Sequence, residues 1–347
     1  MVIRLLSVLL LLPAALSAWQ WGDYHHDYLL PEEREGPFQF YGFAGFGWEW
    51  AEEEKDGGGV EWDGETWRGS SAGVWLTGSL AGRLRYFAEG FFLLENEKGE
   101  LGPAYADGEI GNRALSLRGG RFHLPVGLEG RSAPLPVNPF VIRSWVRVPT
   151  ATGIACYGDF LDESVNYYLA LGKSFAGDFA DSLLGPAAPA GGEEDPLTYA
   201  GRIALSPREG LEFGFSRSAD AESGGGGSAD LVGADLSLSD GPLLVRAEWV
   251  RLWREEGGAE RRSDGVSGRI GYRIIEYSRR FDAATILLGI DYLDPSGDRS
   301  NDRLYNYIAG LSFAPRFWGV LKAEFQTTRE ESGGRLDRVL VEFLLRR

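Results

Sequence analysis

The sequence predicts an all-β fold, a transmembrane antiparallel β-barrel of about 14 to 16 strands. Three observations predict it. Apolar and polar side chains alternate with a period of two near the carboxyl end, as in Leu321–Gln326. The amino end has the pattern of an export signal, and short and long polar connections interleave between the alternating segments. Period-two alternation gives each strand one apolar and one polar face, which a barrel in lipid turns outward and inward.

The first 18 residues have the pattern of a secretory signal peptide. They carry one charge, Arg4, an apolar run Leu5–Leu12, and the small-residue sequence Leu16-Ser17-Ala18 before the predicted cleavage point. The apolar run is too short to span a bilayer, so the pattern indicates a signal peptide rather than a membrane helix. The alternative is a buried amino-terminal core helix. We expect cleavage near Trp19, a polar amino-terminal segment over residues 19–37, and a barrel over residues 38–347.

Composition narrows the class of protein. Beyond the signal the sequence has no run of 18 apolar residues, so no membrane-spanning helix is expected. Glycine is abundant at 49 of 347 residues and aromatic residues reach 13%, which favours a strand-rich barrel. A single cysteine, Cys156, excludes an internal disulfide and covalently attached c-type haem. The net charge of −16 argues against nucleic acid as a partner.

The alternation recurs along most of the chain. Predicted strands are 38–50, 73–80, 84–94, 115–118, 165–171, 199–205, 211–215, 232–238, 243–253, 270–277, 286–292, 305–313, 321–326 and 339–343. Tight turns are predicted at 206–210, 239–242 and 314–316, and long polar loops at 52–67, 177–196, 220–230, 254–265 and 294–302. A barrel with short turns at one end and long loops at the other has this rhythm.

Aromatic residues lie near the ends of many predicted strands. They are Tyr41, Trp48, Trp50, Trp249, Trp253, Tyr272, Tyr292, Tyr305, Phe317 and Trp318. Trp and Tyr favour the membrane–water interface, because the ring is apolar and one edge hydrogen-bonds. The alternative is aromatic packing in the core of a soluble β-protein.

A Pro-rich region over residues 125–160 interrupts the strand pattern. Its five prolines, Pro125, Pro134, Pro136, Pro139 and Pro149, indicate a loop, because proline lacks the N–H that a sheet ladder needs. Its apolar content, including Phe140 and Trp145, argues against disorder. We expect a loop that folds into the barrel lumen and narrows it, the alternative being a loop on the outer surface.

The stretch Gly119–Glu129 resembles the Gly-(Gln/Arg)-Phe-x-x-Pro-Phe-Gly-x-Glu segment of the phosphate-selective porin O and P family. The resemblance extends over 113–159 and over the closing strands at 304–345, and elsewhere it is a matter of strand rhythm. The chain departs from the family at Val126, where Phe is usual. It also departs at its end: such barrels commonly end on an aromatic residue, whereas here Phe343 is followed by four more residues. The resemblance implies a trimeric outer-membrane barrel that conducts small solutes.

Candidate pore-lining residues follow from strand parity and from the Pro-rich region. They are Arg83, Arg85, Arg118, Arg121, His123, Arg131, Arg143, Arg147, Lys322 and Glu324. Parity also turns inward Glu89, Asp235, Arg246, Glu248, Arg269, Arg273 and Glu342. The arginines of 118–147 could form a ladder for phosphate oxygens, but they could equally pair with lumen carboxylates. Acidic loop runs such as Glu52-Glu53-Glu54 would repel anions at the mouth, so phosphate selectivity does not follow.

The sequence therefore predicts a porin, a passive diffusion channel for small hydrophilic solutes or ions in the outer membrane of a Gram-negative bacterium. Its expected partners are outer-membrane lipid, the solutes, and two further copies in a homotrimer. One alternative is a barrel that sheathes a partner such as an electron-transfer conduit. A second is a barrel hydrolase, disfavoured because His123 and Ser132 lie in no nucleophile frame. No catalytic residue, metal or cofactor is assigned, since His25-His26 fits a polar amino-terminal segment better than a metal site.

Overall fold

A computed structural model describes residues 39–55, 59–80, 84–93, 98–110, 114–128, 150–161, 164–174, 197–220, 229–256, 259–276, 281–295, 302–315 and 319–346. The strands are β1 (Gln39–Lys55), β2 (Gly59–Leu80), β3 (Leu84–Leu93), β4 (Lys98–Glu109), β5 (Ser116–His123), β6 (Thr150–Phe160), β7 (Val165–Ser174), β8 (Leu197–Arg208), β9 (Leu211–Asp220), β10 (Ala229–Asp240), β11 (Leu243–Glu256), β12 (Ala259–Glu276), β13 (Phe281–Asp294), β14 (Leu304–Pro315), β15 (Gly319–Glu330) and β16 (Arg335–Arg346). The predicted signal peptide and the segment 19–37 lie outside these ranges.

The 16 strands of the described ranges form one closed antiparallel barrel. Each strand pairs with its neighbours in sequence, and β1 closes the sheet by pairing with β16 from Phe43 opposite Arg346 to Glu54 opposite Arg335. Closure leaves no sheet edge, so the backbone N–H and C=O groups of each strand are hydrogen-bonded to the adjacent strands and need no water. The predicted all-β barrel is confirmed, at the upper end of the expected strand number.

The two ends of the barrel differ. The four longest connections, 124–149, 175–196, 221–228 and 295–303, all follow odd-numbered strands and therefore emerge at one end, here called the loop end. The opposite end, here called the turn end, carries tight connections such as Glu209-Gly210, where a left-handed Gly210 (φ 74°) makes the reversal. The barrel begins at Gln39 and finishes at Arg346 at this turn end.

Two predicted long loops are wrong. Over 52–67, β1 continues to Lys55 and β2 begins at Gly59, and over 254–265, β11 continues to Glu256 and β12 begins at Ala259. These stretches are polar, but a hairpin ladder is held by backbone hydrogen bonds and tolerates polar side chains on both faces. Polarity alone therefore did not distinguish loop from strand.

Two strands were missing from the sequence prediction. β4 contains Pro103, which lies where the β3–β4 register shifts between Ala88 and Gly90, a bulge position that spares the ladder a missing N–H. β6 occupies Thr150–Phe160, so the predicted loop 125–160 is shorter than expected and its last eleven residues form a strand. Its first residues, 124–128, are described, whereas 129–149 lie outside the described ranges.

No helix in the described ranges is long and apolar enough to cross a membrane.

Candidate channel lumen

The barrel wall places apolar side chains outside and charged side chains inside. On β15, Leu321, Ala323 and Phe325 are exposed, whereas Lys322 and Glu324 between them are 1% and 2% exposed. The same reversal recurs around the barrel, with large apolar residues among the most exposed and arginines and carboxylates among the most buried. A soluble β-protein has the opposite distribution, so the outer face is suited to lipid and the inner face to an aqueous channel.

Aromatic side chains mark the loop end of the outer wall. Trp249 and Trp253 share the outer face of β11 with Arg251, whose guanidinium lies 5.3 and 5.7 Å from the two ring centroids. Further around the barrel, Tyr292 on β13 and Tyr305 on β14 are in contact, with ring centroids 5.4 Å apart. The predicted interfacial position of these aromatics agrees with their outward placement.

A five-residue segment, Leu124–Leu128, folds from the end of β5 into the barrel and is called the inward segment. The Leu128 N–H donates to Glu248 Oε1 at 3.1 Å, and the Gly127 N–H donates to Ser216 Oγ at 3.4 Å. Glu248 and Ser216 lie on β11 and β9, strands distant from β5 in the barrel. The described start of the predicted loop therefore enters the lumen.

Apolar packing and one glycine fix this segment. Leu124 and Val126 are about 1% exposed and join a cluster with Phe122, on β5, and Leu252, on β11. Gly127 is left-handed (φ 65°), and a Cβ at this position would lie 1.4 Å from Glu248 Oε1. Glycine is needed here both for the backbone conformation and for the approach of the carboxylate.

Arg118 is the centre of a buried cluster on the β4–β7 side. Its Nε and Nη2 donate to Asp107 Oδ1 and Oδ2 at 2.7 and 2.9 Å, a bidentate ion pair. The guanidinium carbon lies 3.8, 5.1 and 5.8 Å from the ring centroids of Tyr105, Tyr157 and Tyr168. With both partners about 95% or more buried, this arginine is neutralised and enclosed rather than presented to a solute.

Two further ion-pair networks lie on the other side of the inner wall. Arg202 donates to both oxygens of Asp235, at 3.2 and 2.6 Å, and to Glu212 Oε1 at 2.8 Å. Arg269 pairs with Asp291 through Nη1 and Nη2 at 2.7 and 2.8 Å. Each buried arginine is thus compensated by a carboxylate from a nearby strand, as desolvated charges require.

Arg246 differs from these arginines. Its Cα partners are Ser237 on β10 and Arg269 on β12, so two cations are adjacent on the inner face. Its Nε is buried without a hydrogen-bond partner, and the described residues supply no ion pair to it. It is half-buried, with its guanidinium charge at the lumen rather than neutralised within the described wall.

At the turn end the closing strands carry a mixed-charge group. Lys322 Nζ lies 2.8 Å from Glu342 Oε2, and Gln326 Nε2 donates to Glu324 Oε2 at 3.0 Å. The lumen therefore combines both signs of charge within a few residues along β15 and β16.

The structure places the predicted pore-lining residues unequally. Arg85, Arg118, Lys322 and Glu324 face the interior. Four others, Arg83, Arg131, Arg143 and Arg147, lie outside the described ranges.

The inward assignment of Arg121 and His123 is wrong. Arg121 pairs with Thr152 and shares the face of exposed Leu117, while Arg118 and Phe122 occupy the inner face. A spacing of three residues puts Arg118 and Arg121 on opposite faces of a strand, so parity alone would have separated them. The proposed arginine ladder is not assembled from these two residues.

Sequence reasoning also left out some inner residues. Asp107 was missed because β4 was not recognised, and Arg202 because its strand was identified without assigning faces. No group of three or more His, Cys, Asp or Glu within the described ranges is arranged to hold a metal ion.

Comparison with known proteins identifies the fold. No family model matches the sequence, and no curated protein matches it significantly. Among solved structures, the chain resembles an anion-selective porin from Comamonas acidovorans with a TM-score of 0.64 and 11% identity, covering 89% of this chain and all of that one. It also resembles the outer-membrane channel DcaP of Acinetobacter baumannii (TM-score 0.59, 12% identity, 89% and 97% covered). A third is Salmonella typhi OmpF in complex with daunomycin (TM-score 0.57, 11% identity, 89% and 97% covered). At such low identity the likeness establishes the fold alone: the 16-stranded barrel of this chain has the fold of these solved outer-membrane porins and channels.

Proposed function

We propose that this protein is an outer-membrane porin, a passive diffusion channel for small hydrophilic solutes or ions. The observation that carries the proposal is the reversed polarity of a closed 16-stranded wall, with apolar residues outside and charged residues inside. About eight strands suffice merely to enclose side chains, so a barrel of this size leaves room for water. The likeness to solved porins and channels supports the same proposal.

The inward segment supports a constricted channel rather than an open tube. Leu124–Leu128 crosses from β5 to β9 and β11 and is held there by Glu248 and by apolar packing. Mixed charges on the facing walls create a field that favours polar over apolar solutes. Phosphate is not assigned as the solute, because Arg118 is neutralised by Asp107 and Arg121 faces outward.

Planar-bilayer recording of the purified full-length protein tests this function. Stepwise conductance increments in potassium chloride support a porin, and the reversal potential under a salt gradient gives its ion preference. Silence in correctly folded, heat-modifiable protein would reject the porin and favour a barrel that sheathes a partner. A cation preference without phosphate block would reject an arginine path for anions.

The location and assembly are parts of the same proposal. The expected signal peptide predicts export, and an apolar outer wall with interfacial aromatics suits a bilayer. We propose a homotrimer in the outer membrane, which cross-linking in isolated outer membranes would reveal as a trimeric band. A monomer under the same conditions would contradict this assembly without affecting the proposed channel.

A further inference from the structure

One ladder row of the inner wall carries charges of both signs near the turn end. Glu212 on β9 pairs with Ser237 on β10, and Ser237 pairs with Arg246 on β11. A carboxylate, a hydroxyl and a guanidinium therefore lie side by side, and they are here called the mixed-charge row. Adjacent strands lie about 4.8 Å apart, which places the Cα atoms of Glu212 and Arg246 about 10 Å from each other.

The carboxylate of the row is held in place by the wall. Glu212 Oε1 accepts from Arg202 Nη2 at 2.8 Å, and the same nitrogen donates to Asp235 Oδ1 at 2.6 Å. Gly214 makes room for this arrangement, because a Cβ there would collide with Arg202 Nη2. The side chain of Asp235 is fully buried, whereas that of Glu212 is 15% exposed and reaches the lumen. A carboxylate has about four acceptor positions, so Glu212 can bind an ammonium group without releasing Arg202.

The guanidinium of the row is open to the lumen. Arg246 Nε is buried without a hydrogen-bond partner, and no carboxylate of the described wall forms an ion pair with this side chain. The residue is half-buried, so its terminal nitrogens lie at the lumen surface. Glu212 and Arg246 thus have opposite charges in one row but do not neutralise each other.

The mixed-charge row lies on the turn-end side of the inward segment. Glu248, which accepts the Leu128 N–H, follows Arg246 by two residues on the same face of β11. Two residues of a strand span about 7 Å, which is close to the length of a small solute. A solute that passes the inward segment therefore meets the row.

Opposite charges held apart on one wall suit a solute that carries both charges itself. An anion bound to Arg246 would lie near a carboxylate, and a cation bound to Glu212 would lie near a guanidinium. A zwitterion complements both groups and brings no net charge into the lumen. The Ser237 hydroxyl between them can donate one further hydrogen bond.

We propose that the mixed-charge row is a binding site for zwitterionic amino acids that pass through the channel. The carboxylate of the solute binds Arg246 and Ser237, and its ammonium group binds Glu212. Arginine suits this role because its planar guanidinium donates two parallel hydrogen bonds to a carboxylate. The proposal rests on the proposed porin function and names a solute class for it.

Tracer uptake into proteoliposomes of the full-length protein tests the site. Labelled alanine is compared with labelled lactamide, its uncharged isomer, after subtraction of the uptake into protein-free liposomes. At low concentration alanine uptake should exceed lactamide uptake about threefold, as expected for partly solvated ion pairs. Arg246→Gln and Glu212→Gln should each reduce alanine uptake to the lactamide level. The matched control Arg217→Gln, which removes an outward arginine paired with Asp230, should keep the preference.

Competition separates a zwitterion site from a site for a single charge. Unlabelled alanine should inhibit the labelled uptake, whereas propionate and ethylamine each carry one of its two charges and should inhibit about threefold less. Inhibition by propionate equal to that by alanine would assign the site to anions, and equal inhibition by ethylamine would assign it to cations. Either result would overturn the proposal.

Equal uptake of alanine and lactamide by the unmodified protein, or an unchanged preference in Arg246→Gln, would also overturn it. Should Glu212→Gln fail to fold by gel mobility, Ser237→Ala replaces it, and a preference that survives the loss of this hydroxyl counts against the site. Lactamide uptake by the unmodified protein reports on the channel itself. Its absence would reject the porin, whereas lactamide uptake without an alanine preference rejects this site alone.

Discussion

Arg118 and Arg246 both point into the barrel, yet their surroundings give them different roles. Arg118 is held by two hydrogen bonds to Asp107 and enclosed by three tyrosine rings. Arg246 is half-buried, lies beside Arg269, and receives no ion pair from the described wall. An inward arginine is therefore not by itself a pore cation. The groups around the arginine determine whether its charge is neutralised within the barrel wall or acts on the solute.

The replacement Asp107→Ala tests the structural side of this comparison and should have the largest effect. It leaves Arg118 buried without its carboxylate, which typically costs about 3–5 kcal/mol. Urea titration in lipid vesicles, followed by tryptophan fluorescence and gel mobility, would measure the free energy of unfolding. Arg246→Ala should change that free energy by no more than about 1 kcal/mol, since it is only half-buried.

A volume-matched double variant is the control for this prediction. Asp107→Leu together with Arg118→Met removes both charges and should recover most of the stability lost in Asp107→Ala, because a buried pair can often be replaced by apolar residues. A loss below 1 kcal/mol in Asp107→Ala would mean that Arg118 is accessible to water and belongs with Arg246.

Glu248→Ala tests the anchor of the inward segment, two residues from Arg246 on the same face of β11. It removes the acceptor of the Leu128 N–H, which should cost about 1–3 kcal/mol and loosen the segment. Single-channel conductance should rise, since a released segment no longer narrows the lumen. Glu248→Gln retains an acceptor oxygen and should keep the original conductance.

The opposite outcome is equally informative. An unchanged conductance in Glu248→Ala would show that apolar packing of Leu124 and Val126 alone holds the segment.

Arg246→Gln tests the solute-facing side of the comparison. Removing a lumen cation that no described carboxylate pairs with should shift the reversal potential toward cation preference, by about twofold in permeability ratio at an ionic strength where charges act over roughly 8 Å. Arg208→Gln is the matched control, because Arg208 is exposed at the turn end and paired with Asp240. A larger shift in Arg208→Gln than in Arg246→Gln would contradict the assignment of Arg246 to the conducting path.

The sequence predicted the fold better than the lumen, for physical reasons visible on two strands. On β15, apolar side chains on the outer face alternate clearly with polar side chains on the inner face from Leu321 to Gln326. The sequence therefore predicts both the strand and its inner face. On β6 the inner positions Ala151 and Ala155 are small, and they are buried in one cluster with Phe122 and Leu124. Small inner side chains give little contrast with the outer face, and with the prolines that precede this strand the sequence predicts a loop here.

The ion-pair partners could not be predicted for a related reason. Parity gives the face of Arg269 or Asp235, but their partners depend on register between strands and on side-chain reach. Arg202 contacts Asp235 on β10, two strands away, although a direct neighbour, Ser216, is its Cα partner on β9. This contact across the intervening strand depends on the length of the arginine side chain and on Gly214, where a Cβ would collide with the Arg202 guanidinium.

The last and smallest effect concerns Cys156 on β6. It lies on the outer face of the wall, next to the part of β5 that carries Arg118 on the inner face. It pairs with Leu117 and Leu169, both exposed, while its neighbour Ala155 pairs with inward Arg118. A fluorophore attached to Cys156 before refolding should be quenched by nitroxide on lipid chains and not by aqueous iodide. With Cys156→Ser and Ser237→Cys, the fluorophore lies beside Arg246 on the inner wall and should show the reverse pattern.

Iodide quenching at both positions would mean that the inner and outer faces of β5 and β6 are exchanged. The charged Arg118 would then face lipid, a placement that costs about 2–4 kcal/mol at the bilayer midplane. Because the face of Cys156 fixes the face of Arg118, one labelling experiment decides whether the two arginines share a lumen at all.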